Sequence, residues 1–105
     1  MQSESLLFVS GQGGFEPDDP NSDAGDIENQ TVRTVAAIQN ILSESGLTLA
    51  DVLKVNVYLT DRNNYERFNR TYSRLFSQPY PARTVIYCEL NFGLLVEMDV
   101  IAKLR

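Results

Sequence analysis

Two residues carry the chemistry this chain could do. Arg83 follows Pro81-Ala82 and opens a β-branched stretch; Glu97 comes fourteen positions later, between Val96 and Met98. A guanidinium offers a rigid pair of donors that fits a carboxylate as a lysine does not. An acid in an apolar strand has its charge penalised by burial, which moves its pKa upward toward the range useful for proton transfer at neutral pH. The ordinary alternatives are a surface arginine at a strand start and a glutamate on a solvated face shared with Asp99. There is no histidine, which removes the commonest general base and the commonest metal ligand. Ser10 and Gly11, ending an apolar run, are candidates for hydrogen bonds to a ligand, but no histidine activates Ser10 as a nucleophile.

The remaining motifs resolve into ordinary structure. The glycines at 11, 13 and 14 miss the dinucleotide-binding pattern, because position 16 is Glu16. Asp19, Asn21 and Asp23 begin like a calcium loop, yet Ala24 and Gln30 stand where glycine and glutamate are required. Two glycosylation sequons, at Asn29 and Asn69, fall inside predicted helices. Cys88 reads as a small buried hydrophobe in an apolar strand. No metal and no cofactor is expected.

These residues need elements to hold them. Leu6-Leu7-Phe8-Val9 predicts a strand that stops at a glycine-rich turn, Ser10 to Gly14, and residues 16–25 predict a surface loop. From Asp26, an N-cap, apolar residues recur at helical spacing until Gly46 in the position of a C-terminal glycine cap. Val55, Val57 and Leu59 alternate with polar neighbours as in a half-buried strand. Asn63 and Glu66 suggest a capping box for a second helix with an aromatic stripe from Tyr65 to Phe76, closed by Pro79 and Pro81. Thr84 to Leu90 and Leu94 to Leu104 predict two strands joined at Asn91-Phe92-Gly93 as a hairpin. The expectation is one α+β domain over residues 1–105, a mixed sheet with two helices on one face. The other face of so small a sheet needs cover from a second copy.

Composition narrows the function. With 9 basic against 14 acidic residues the net charge is −5, which disfavours phosphate backbones, so nucleic acid is not an expected partner. No apolar run reaches the ~20 residues of a membrane-spanning helix. The lone cysteine forms no internal disulfide, and the cytoplasm is the expected location.

Four segments in order resemble the Rid family (YjgF/YER057c/UK114): Val9-Ser10-Gly11-Gln12, Phe68-Asn69-Arg70-Thr71-Tyr72, Tyr80-Pro81-Ala82-Arg83-Thr84, and Val96 to Ala102. The resemblance implies a chorismate-mutase-like fold assembled as a homotrimer around a central barrel, with active sites between subunits. It implies hydrolysis of reactive enamines and imines such as 2-aminoacrylate to 2-keto acids and ammonia. It makes Arg83 the carboxylate-binding arginine and Glu97 the acid near the attacking water. Ser10 and Gly11 become pocket-lining residues, and Asn69 the structural asparagine of the binding set. Val85 stands where the family commonly has a cysteine, with a contact expected through the backbone. The family usually begins with a further strand bearing a pocket tyrosine, and this chain is expected to lack it. A non-catalytic trimeric module that binds small carboxylate metabolites is the alternative, and the endoribonuclease label sometimes given to this family ranks lowest.

Overall fold

The computed structural model describes residues 5–14 and 26–105. The loop and the calcium-like triad expected within residues 16–25 lie outside these. The elements are β1 (Leu6–Gly13), α1 (Ile27–Glu44), β2 (Val52–Leu59), α2 (Tyr65–Leu75), β3 (Ala82–Tyr87) and β4 (Val96–Lys103). No helix among the described residues is long and apolar enough to cross a membrane.

Local chemistry sets the helix ends. The Asp26 side chain accepts from the Asn29 N–H at 2.9 Å, satisfying one of the free donors of the first turn. At the other end Gly46 takes φ +72°, and the Gly46 and Leu47 N–H groups return to the carbonyls of Ser43 and Leu42, a Schellman closure. The capping box expected at Asn63 and Glu66 is absent: Asp61 instead caps a short 3₁₀ turn, Arg62–Asn64, that runs directly into α2. A capping box does form at Thr48 and Asp51. The second helix ends at Leu75, before either proline.

The sheet order is β1-β4-β2-β3, with β4 antiparallel to both its neighbours and β3 parallel to β2. The expected hairpin between the last two strands is therefore wrong. β2, α2 and β3 form a strand–helix–strand crossover, the usual way a short chain joins parallel neighbours. β4 then crosses past β2 and lies on its other side. The turn Asn91–Gly93 starts that crossing, with Phe92 and Gly93 both at positive φ.

Both helices cover one face. Val96, Met98, Val100 and Ala102 of β4 and Val55, Val57 and Leu59 of β2 are buried there against Ile27, Val35, Ile38 and Leu42 of α1 and Phe68 and Tyr72 of α2. The opposite face is open and holds Phe8, 68% exposed, and Ile86, 47% exposed. Between them lies a polar group: Asn56 Nδ2 and the Tyr58 hydroxyl donate to the two oxygens of Asp99 at 2.8 and 2.9 Å. The bond to Asp99 is the main cause that raises the Tyr58 phenol above its usual pKa, with burial and the charges of Asp99 and Glu97 adding to it.

Candidate active site

Arg83 sits on an edge strand in the row of Val55 and Val100, so its side chain points to the helix-covered face. There α2 presents Tyr65 and Asn69, one turn apart. Arg83 Nη1 donates to Asn69 Oδ1 at 2.8 Å and Nη2 donates to the Tyr65 hydroxyl at 3.0 Å. The guanidinium lies 4.7 Å from the Tyr72 ring centroid and 5.9 Å from that of Phe68. Aromatic faces and neutral acceptors thus hold a part-buried cation, and among the described residues no carboxylate pairs with it. Such a charge favours an external anion.

A cleft of about 280 Å³ opens beside it, lined by Asn69, Tyr72, Ser73, Tyr80, Pro81 and Arg83. The Tyr80 hydroxyl donates to the Ser73 carbonyl at 3.2 Å. The Tyr72 hydroxyl is buried and has no hydrogen-bond partner among the described residues. Burial pushes its pKa up to about 12, against the opposing pull of Arg83. A larger hollow of about 590 Å³ lies at the far end of β3, lined in part by Tyr87, Cys88 and Glu89. It holds no cation that would bind a carboxylate. Cys88 lies past the end of β3, which stops at Tyr87, and is exposed rather than buried.

Glu97 stands elsewhere. It shares a row with Tyr58, so it faces the open side of the sheet. Its carboxylate packs on Gly11, where a Cβ would come within 2.6 Å of Oε2. Here β1 does not end at its glycines as expected but continues to Gly13 through a bulge between Val9 and Gln12. Gln12 Nε2 donates to the Ser10 carbonyl across that bulge at 3.1 Å. Bulges of this kind re-aim a strand locally, and this one brings exposed Gly11 to Glu97, with exposed Ser10 next to it in the chain.

The expected residues therefore fall into two groups. Arg83, Asn69 and, one pair further along on the same face, Val85 belong to one; Ser10, Gly11 and Glu97 belong to the other. Arg83 and Glu97 are two strands and three residue rows apart, about 10 Å in each direction, with side chains on opposite faces. One copy does not bring both to one small ligand. Tyr65 is not among the expected site residues, because its helical spacing assigns it to the core stripe. Its position four residues before Asn69, on the same helix face, is the available signal. Among the described residues no cluster of three His, Cys, Asp or Glu side chains forms a metal site.

The family model described as endoribonuclease L-PSP matches residues 1–104. The chain belongs to the Rid family. A RutC family protein of Pyrococcus abyssi is 39% identical over 99 residues, covering 93% of this chain and 78% of that protein. The mitochondrial protein MMF1 of Saccharomyces cerevisiae is 34% identical over 103 residues, covering 97% and 70%. The Rid fold is shared with the crystal structure of yeast Mmf1 (TM-score 0.89, 32% identity, 99% of this chain and 83% of that one). It is equally shared with E. coli TdcF with bound serine (TM-score 0.89, 26% identity, 96% and 82%).

Proposed function

We propose that this chain hydrolyses small 2-imino and 2-enamino carboxylates of the 2-aminoacrylate kind to 2-keto acids and ammonia, in a site shared between two copies of a homotrimer. The observation that carries this reading is Arg83, a part-buried guanidinium held by Asn69 and Tyr65 with no carboxylate partner among the described residues. The serine bound to E. coli TdcF, a small amino carboxylate, supports the same ligand class.

The chemistry asks for little machinery. Arg83 fixes the carboxylate, which places the imine carbon within reach of a positioned water. Glu97 of the second copy takes one proton from the water as oxygen bonds to that carbon and hands it to the imine nitrogen, giving the carbinolamine; it then carries the hydroxyl proton to nitrogen as the C–N bond breaks, leaving the 2-keto acid and ammonia. Gly11 leaves room for that carboxylate. The open sheet face, with Phe8 and Ile86 exposed, is the surface on which copies would assemble.

The separation of the two groups favours a second reading for a lone copy, capture of a carboxylate without turnover. RNA cleavage gains no support, because the chain has net charge −5 and no histidine. An exposed free thiol at Cys88 suits a reducing compartment, and the cytoplasm is the proposed location.

The test is coupled turnover. Mixed with a threonine or serine dehydratase, the protein should speed keto-acid release over buffer, and Arg83→Ala should abolish the effect. No acceleration from the assembled protein would refute the enzyme reading; full activity in the variant would place the clamp elsewhere.

A further inference from the structure

An enamine is not yet a substrate for water. Its C3 must first take a proton to make the imine, and that step needs an acid beside the bound carboxylate. Three phenols surround Arg83. The proton of Tyr80 is committed to the Ser73 carbonyl. The hydroxyl of Tyr72 is sealed from solvent. Tyr65 differs from both: it is half-buried, and its hydroxyl oxygen accepts from Arg83 Nη2 at 3.0 Å. The phenol proton plays no part in that bond and has no acceptor among the described residues. A phenol that accepts from a guanidinium is polarised into a better donor.

We propose that Tyr65 is a catalytic residue that protonates C3 of the enamine held on Arg83, so the protein itself makes the imine that it hydrolyses. This rests on the deaminase reading above. Nη2 lies 3.0 Å from the Tyr65 oxygen, so a carboxylate gripped by that nitrogen would bring C3, two bonds from the carboxylate carbon, within reach of the phenol. The phenol proton bonds to C3 using the C2=C3 electron pair, while the nitrogen lone pair forms C2=N. The O–H electrons stay on Tyr65 as a phenolate beside the guanidinium, where developing negative charge is stabilised. The iminium N–H proton then returns to the phenolate through solvent. The net change is isomerisation of enamine to imine, with no atom gained or lost. Glu97 of the second copy remains free for the water.

A proton delivered from one side marks its face. In deuterated water, 2-amino-2-butenoate released by a threonine dehydratase becomes 2-oxobutanoate deuterated at C3. Reduction by lactate dehydrogenase traps it before exchange, and NMR of the 2-hydroxybutanoate reads the handedness at C3. The wild type should give an excess of one hand, and buffer alone the racemic label. Tyr65→Phe should fall to the racemic value, whereas Tyr72→Phe, which removes the sealed hydroxyl and keeps both the ring against Arg83 and the Tyr65 phenol, should retain the excess. Racemic label from a wild type that still speeds keto-acid release would overturn the role of Tyr65 and leave the deaminase reading standing. An excess retained in Tyr65→Phe, or lost equally in Tyr72→Phe, would also overturn it. No acceleration by the wild type would remove both.

Discussion

Replacing Gly11 by alanine tests the placement of Glu97 with little disturbance to the fold. The new Cβ would lie 2.6 Å from Glu97 Oε2 and 3.1 Å from Cδ, where ordinary contact begins at 3.4 Å. The carboxylate must retreat by about 0.8 Å, the difference between 2.6 and 3.4 Å. It is the free end of a flexible side chain, so the shift costs little stability, and Gly11 does not have a positive φ that would strain alanine. Misplacing a reacting group by about 1 Å costs roughly 100-fold in rate, so kcat should fall between about 10- and 100-fold. Arg83, which holds the carboxylate, is untouched by this change, so affinity for an unreactive 2-keto acid should fall much less than kcat. Steady-state kinetics with a dehydratase couple and calorimetric titration of 2-oxobutanoate measure the two quantities. A kcat equal to wild type would refute the assignment of Glu97, and a loss of affinity equal to the loss of rate would mean that Gly11 shapes binding rather than chemistry.

Arg83→Lys should weaken carboxylate binding by at least about 10-fold, because an ammonium does not replace two forked donors while also holding Asn69 and Tyr65; titration checks this. Tyr72→Phe should raise stability by about 1 kcal/mol, since it removes a buried hydroxyl without a partner and keeps the ring against Arg83. The folded phenol is raised to about 12 from 10, so the stability that goes with its protonation is complete below pH 10 and is lost as pH rises from 10 towards 12. The advantage of the variant in urea melts should therefore widen across that window. Phe8→Glu should reduce assembly, read as a smaller mass by light scattering, because a charge would replace a ring exposed on the open face.

Periodic elements were legible from the residues. Asp26 and Gly46 mark the ends of α1, and the alternation from Val96 to Ala102 is the burial pattern of β4. Pairing was harder, because it is decided by contacts distant in sequence. Asn91-Phe92-Gly93 has hairpin chemistry, but the parallel partner of β3 is β2, and the crossover through α2 claims that edge before β4 arrives. The strand–helix–strand order contained that information. The expectation of a buried Cys88 fails for a related reason: apolar composition continues past Tyr87, while the strand does not. The types of Arg83 and Glu97 marked them as candidates, but their opposite faces follow only from the register of three strands. Tyr65 was hidden because a tyrosine at helical spacing looks like core until the arginine that bonds its hydroxyl is located.

On the proposed reading, a working site takes Arg83 from one copy and Glu97 from another. Arg83→Ala and Glu97→Gln, each inactive alone, should be mixed, unfolded and reassembled together, then assayed for keto-acid release. If each site draws one residue from each of two copies, random assembly leaves about one quarter of the sites with both native groups, and activity should return to about a quarter of wild type. Activity that stays at the level of the separate variants would contradict the shared site.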